Sequence, residues 1–204
     1  MKFIQLIFIF LMGIFMNTTF AAVKTGNNVP EFTLLDSNGI KISLLEFKGK
    51  TIILEWTNHG CPFVAKHYSS GNMQNTQKNA KEFGAVWISI ISSAPGTQGY
   101  VTSEEANNLT KSRNAQPDHV LFDEEGAIGR LYDAKTTPHM YIIDAEGVLK
   151  YQGAIDDAGG RGFMSKDLSK ANNYVLNALN EIINSKEVTD HTTKPYGCSV
   201  KYKS

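Results

Sequence analysis

Two runs of mostly apolar residues, TIILEW at 51–56 and AVWISII at 85–91, constrain the fold of this chain more than any other feature. Each is rich in β-branched and aromatic residues and lacks the polar alternation of a strand with one wet face. That pattern predicts buried strands in the middle of a sheet. Such strands must be covered by helices, and the segment between them offers one. From Pro62 to about Phe83 the pattern becomes long and mostly polar with spaced apolar positions, and Phe83-Gly84 closes it as a helix C-terminus would. The spacing predicts one continuous helix there.

The rest of the chain repeats the alternation. EFTLL and IKISL flank DSNG, whose Asn38-Gly39 pair suits a tight turn, so a leading hairpin is expected. TSEE, beginning at Thr102, has the spacing of a capping box and starts a helix running towards Arg113. HVLFD reads as another strand and EEGAIGRLYDA as a short helix. HMYIID and VLKYQGAI read as two more strands around the turn AEG. LSKANNYVLNALNEII places apolar residues at Tyr174, Val175, Leu176, Leu179, Ile182 and Ile183, the spacing of an amphipathic closing helix. The glycine-rich DDAGGRG lacks the strand-to-helix context of a phosphate loop and reads as a flexible loop with Asp156 and Asp157 in solvent.

The first residues stand apart. Lys2, the apolar FIQLIFIFLMGIFM and a small-residue end at Ala21-Ala22 make the pattern of a secretory signal peptide. The apolar run is shorter than the roughly 20 residues of a membrane-spanning helix. Cleavage after Ala21 or Ala22 is therefore expected, giving an exported, periplasmic or secreted protein with no membrane attachment. Twenty Lys and Arg balance 20 Asp and Glu, so no basic excess points to nucleic acid, and small molecules or other proteins are the expected partners. Two cysteines are too few for a disulfide framework, and each is judged by its surroundings.

Cys61, in WTNHGCPFVAKHY, lies where a strand gives way to a helix. A cysteine at a helix start faces unpaired backbone N–H groups and the positive end of the macrodipole, and both favour thiolate over thiol. Pro62 suits the first helical turn, where its missing N–H costs nothing. His59 and Lys66 add positive charge nearby. The plainer alternative is a small buried hydrophobe, but the strand-to-helix junction is the end of an open α/β sheet where ligands bind, and it favours a reactive thiol.

Strand, helix, strand, helix, hairpin and helix, behind a leading hairpin, is the order of a thioredoxin-like fold. Over roughly Val29 to Asp157, with NHGCPFVAKHY, TTPHMYIID and YQGAIDD as its most specific segments and YGCSVKY in the tail, the chain resembles the peroxiredoxin-like or redoxin group. That group of thioredoxin-fold proteins includes alkyl hydroperoxide reductase C and the thiol-specific antioxidants. The expected fold class is α/β: a thioredoxin-like fold, with a mixed central sheet flanked by helices and an N-terminal β-hairpin extension. The domain plan is a signal peptide at 1–21, a redoxin domain at 22–185 and a tail at 186–204 that carries Cys198. The resemblance implies an antioxidant, thiol-dependent peroxidase or a thiol-disulfide oxidoreductase without a cofactor. Cys61 would attack a hydroperoxide or a disulfide, and a separate thiol reductant protein would be the partner. The resemblance also gives Pro138, preceded by Thr137, a cis peptide in a loop packed on the reactive cysteine.

The chain departs from both standard patterns. A typical peroxiredoxin has a proline seven residues and a threonine three residues before its attacking cysteine, where this chain has Leu54 and Asn58. The usual arginine near the strand that follows Pro138 is missing too, which leaves Asn58, His59 and Thr137 as candidate hydrogen-bonding groups around the site. A thioredoxin-type reductase would need a second cysteine where Val64 stands. Cys198 is therefore the most informative second residue. Three states stay open for it: a resolving thiol paired with Cys61, a purely structural bridge to Cys61, or an unpaired thiol. His59, Cys61 and His67 are close enough in sequence for a soft-metal site, although surface histidines are the simpler reading and no metal is expected. A non-catalytic thiol- or metal-binding module is the alternative to an enzyme.

Overall fold

The computed structural model describes residues 22–159 and 167–203, so the segment read as a signal peptide and part of the glycine-rich loop lie outside the described residues. In chain order the strands are β1 (Thr33–Asp36), β2 (Lys41–Ser43), β3 (Ile52–Trp56), β4 (Val86–Ile91), β5 (His119–Phe122), β6 (Thr136–Thr137), β7 (His139–Ile143), β8 (Leu149–Gly153) and β9 (Cys198–Ser199). The helices are α1 (Pro62–Ser69), α2 (Asn72–Glu82), α3 (Ser103–Ser112), α4 (Ala127–Leu131) and α5 (Tyr174–Ile183). Seven strands form one mixed sheet in the order β2-β1-β5-β4-β3-β7-β8, and β6 and β9 make a separate two-stranded pair. β3, β4 and β5 run parallel, while β7 and the leading hairpin are antiparallel additions on either side.

β3 and β4 are buried at every position, as their composition requires. Along β3 the side chains alternate between two cores. Ile52, Leu54 and Trp56 join Phe32, Ile88, Tyr132 and Tyr141 on one face. Ile53 joins Trp87, Met140 and Tyr151 on the other, where α1, α2 and α5 contribute Val64, Tyr68, Met73, Ala80, Val175 and Leu179. The hairpin, the helix after the capping box and the closing helix form where the sequence predicts them.

The helix expected from Pro62 to Phe83 is instead two. Ser70 caps α1, and Gly71, at φ +78°, breaks the helical path before α2 begins. Gly71 has the left-handed geometry in which helices commonly end, and a glycine adopts it at no steric cost. Asp156 also differs from expectation. Asp156 is 1% exposed, and the carboxylate of Asp157 accepts a hydrogen bond from the Asn172 backbone N–H at 3.0 Å.

The tail beyond α5 does not hang free. It returns along β8, where the Gln152 and Thr193 N–H groups bond the carbonyls of His191 and Gln152. It then pairs as β9 with β6, and Lys201 O accepts from the Ala94 N–H at 3.0 Å. Tyr202 donates to Ala134 O at 2.7 Å and stacks under the Arg130 guanidinium. The tail is thus a strap laid across the end of the sheet from which α1 departs.

Candidate active site

Asn58 builds the turn that presents Cys61. Its side-chain oxygen accepts from the Gly60 N–H at 2.8 Å, its amide donates to Gln98 O at 3.0 Å, and its own carbonyl accepts from the Cys61 N–H at 3.1 Å. Asn58 is therefore spent on the loop and does not face the sulfur as a free donor. Cys61 occupies the N-cap of α1, with Pro62 at the first helical position.

The Cys61 side chain is fully buried. As a thiol it donates to Thr137 O at 3.0 Å. The Thr137–Pro138 peptide is cis, and Thr137 is directly opposite Cys198 in the β6–β9 pair. The strap thereby brings Cys198 to Cys61, and the two remain free thiols. Gly197 makes that approach possible. At φ +143°, a side chain there would collide with the Thr137 carbonyl.

The two sulfurs differ in acidity. Burial pushes the Cys61 thiol up, but the Cys198 thiol and the backbone N–H groups of Val64 and Cys198 outweigh it, and the net shift is downward. The buried Thr137 hydroxyl, which has no other partner, lies close enough to the sulfur to pull in the same direction. Burial and then the neighbouring Cys61 sulfur push Cys198 up to about 11. The leading influences on the sulfur are local to the site and do not include His59 or Lys66. His59 is itself pushed towards its neutral form by burial and by the positive Arg113. The Val64 N–H and the Cys198 thiol take their place.

Three features of the site were not read from the sequence. Glu55 on β3 is fully buried and accepts from Trp87 Nε1 at 3.0 Å, Ser89 Oγ at 2.9 Å and Tyr68 Oη at 3.1 Å. Burial outweighs these bonds and raises its pKa. A lone glutamate inside TIILEW was its only signal. Second, His67 is not a surface histidine. It is 1% exposed on α1, bonded to Tyr196 and Asn72 and engaged away from Cys61. Third, His139 is buried on β7 beside Tyr141, and burial followed by Lys135 depresses its pKa to about 3. No group of three side chains suited to a metal occurs among the described residues.

The comparisons agree with this architecture. The chain is 28% identical over 134 residues to the thiol-disulfide oxidoreductase ResA of Bacillus subtilis, covering 64% of this chain and 69% of the relative. It is 24% identical over 157 residues to a chloroplastic peroxiredoxin Q of Populus jackii, covering 66% and 71%. A hypothetical protein from Sinorhizobium meliloti superposes with a TM-score of 0.76 at 20% identity, covering 90% of this chain and 97% of that one. A putative thiol:disulfide interchange protein DsbE from Chlorobium tepidum gives 0.52 at 23% identity, covering 64% and 85%, a likeness of fold. No helix among the described residues is long and apolar enough to cross a membrane. The Redoxin family model matches residues 24–174, most of the chain and the whole of the sheet that frames Cys61; the protein belongs to the Redoxin family of thiol-dependent oxidoreductases and peroxidases.

Proposed function

We propose that this protein is an exported two-cysteine thiol peroxidase in which Cys61 attacks a hydroperoxide and Cys198 resolves the product. The observation that carries this reading is the burial of Cys61 beneath a strap that holds Cys198 beside it. A hydroperoxide is small enough to reach a covered sulfur, whereas a protein disulfide would have to displace the strap first. Export rests on the N-terminal leader pattern.

The steps balance as follows. The Cys61 thiolate attacks the distal oxygen of ROOH, the O–O bond breaks, and with one proton ROH leaves; Cys61 becomes the sulfenic acid. The Cys198 sulfur then attacks Cys61 Sγ, an S–S bond forms and water departs. A thiol reductant regenerates both thiols. The acidity of Cys198 sets the order of events. While Cys61 is a thiolate, Cys198 stays protonated and donates to it. Oxidation of Cys61 removes that negative neighbour, one of the two influences that hold the Cys198 thiol up, and so makes Cys198 easier to ionise. The buried Thr137 hydroxyl beside the sulfur could bond an incoming oxygen.

A second reading, thiol-disulfide exchange, draws support from the missing threonine and arginine of the usual peroxidase pattern and from the name of the ResA relative. One experiment separates the two. The reduced protein is mixed with one equivalent of hydrogen peroxide or of a model disulfide, and Cys61 is followed by mass spectrometry. The peroxidase reading predicts fast oxidation by peroxide and a trappable sulfenate in Cys198→Ser. Slow oxidation by peroxide with rapid mixed-disulfide formation overturns it in favour of exchange.

A further inference from the structure

We propose that Tyr196, His67 and Asp156 form a buried polar latch that positions Cys198 for attack on Cys61, so that Tyr196 is a positioning residue for the resolving step. The inference deepens the peroxidase reading and rests on it. Tyr196 lies two residues before Cys198, and its hydroxyl donates to Asp156 Oδ1 at 2.5 Å. Because that hydroxyl has one proton, His67 Nε2, 2.9 Å away, must be the donor to the Tyr196 oxygen. His67 Nδ1 is then an acceptor, and the Asn72 amide supplies it at 2.8 Å while also donating to Asp156 Oδ2 at 3.1 Å. The Ala158 N–H completes Asp156 Oδ1 at 3.0 Å. Neutral His67 satisfies every one of these bonds. A fully satisfied buried network of this kind holds one geometry, because each alternative leaves a polar group unpaired.

The position of the latch links it to the chemistry. His67 is six residues after Cys61 on α1, so one rigid helix carries both the attacked sulfur and a wall of the latch. Two extended residues span only about 7 Å, so while Tyr196 is seated Cys198 is confined to that radius of it. The ring is held as well. Phe63 meets it edge-on with centroids 5.8 Å apart, and a side chain at Gly159 would collide with it. A tail that needed only to be tied down could use the ring alone. The hydroxyl adds direction, and the Cys198 sulfur needs direction to reach Cys61.

The test uses the mature protein in single turnover with hydrogen peroxide, following both loss of the Cys61 thiolate and appearance of the Cys61–Cys198 disulfide. Tyr196→Phe keeps the ring and removes the bonds to Asp156 and His67. Losing hydrogen bonds of that kind should slow disulfide formation by at least about tenfold. Sulfenate should then become trappable, with the first oxidation changing far less than the resolving step. Asp156→Leu should behave alike, and Asp156→Asn, which keeps an acceptor, should restore most of the lost rate. A merely structural role would lower both steps together and show no such rescue. Wild-type disulfide formation in Tyr196→Phe, or equal rates in the two Asp156 variants, overturns the latch and leaves the peroxidase reading standing. If Tyr196→Phe fails to fold, the Asp156 pair decides alone. Absence of any Cys61–Cys198 disulfide in the wild type overturns both.

Discussion

Replacing Gly197 with alanine should separate the two thiols without altering either. Gly197 sits at φ +143°, where an added Cβ would run into Thr137 O and approach the Thr137 carbonyl carbon to 2.7 Å and Pro138 N to 3.3 Å. Holding a non-glycine residue in so sparsely populated a backbone region costs of order 1–3 kcal/mol. The collision is with backbone on both sides, so it is relieved by lifting the strap. Loss of the short β6–β9 pairing adds about 0.5–1.5 kcal/mol for each hydrogen bond broken. A total of roughly 2–4 kcal/mol weakens docking by about 30- to 700-fold, at 1.4 kcal/mol per factor of ten. Two readouts should then move in opposite directions. Cys61, now uncovered, should be alkylated faster, while the Cys61–Cys198 disulfide should form at least about tenfold more slowly after one equivalent of peroxide. Wild-type values for both, in a folded Gly197→Ala protein, would refute the argument that this glycine sets the approach of the strap.

Three further outcomes follow from the acid–base environment. Cys198→Ala should raise the Cys61 thiol midpoint, read from thiolate ultraviolet absorbance against pH, because the Cys198 thiol is the largest influence favouring the thiolate; an unchanged midpoint would contradict this. Glu55 binds its proton more tightly folded than unfolded, so its contribution to stability is present below about 4.5 and is lost as pH rises through the higher folded value. Denaturant midpoints should show that loss in the wild type and a flatter profile in Glu55→Gln. His139 has the opposite sign. Its folded value of about 3 lies below the ordinary 6.5, so stability is lost as pH falls from 6.5 towards 3, by at most about 1.4 kcal/mol per pH unit, and His139→Phe should remove that slope.

The sheet was largely legible in the sequence, because β-branched runs such as those of β3 and β4 are buried on both faces and their composition records it. The capping box of α3 was equally plain, since Thr102 and Glu105 bond to each other's backbone within one turn. The break at Gly71 was missed because the apolar spacing continues through it, and only the small Ser69-Ser70-Gly71 triplet marks the interruption. Cys61 was legible from its place before a proline at a helix start. Thr137, Pro138 and Cys198 were already among the groups expected around it, whereas the buried partners His67, Asp156 and Tyr196 were not, because they come together from distant parts of the chain. Tyr196 and Cys198 reach α1 only through the folding-back of the tail, and nothing local in KPYGCSVKY specifies where a strap of that length lands. Asp156 looked like a solvated loop aspartate for the same reason, since its partners His67, Asn72 and Tyr196 are between 40 and 89 residues away.

The strap is anchored on both sides of Cys198, by Tyr196 against α1 and by Tyr202 against α4. Under the peroxidase reading, that double anchoring bears on how the enzyme would be lost. A sulfenate at Cys61 can be attacked by Cys198 or by a second peroxide, and the second route ends in sulfinic acid, from which simple thiols do not recover it. A well-oriented intramolecular partner reacts as though present at concentrations up to the order of 10⁵ M or more, far above any dissolved oxidant. As long as both anchors hold, intramolecular resolution has the advantage over a second peroxide. The weak point then moves from the chemistry to the chain itself: cleavage or displacement of the last few residues, and not the oxidant load, would set the working lifetime of the molecule.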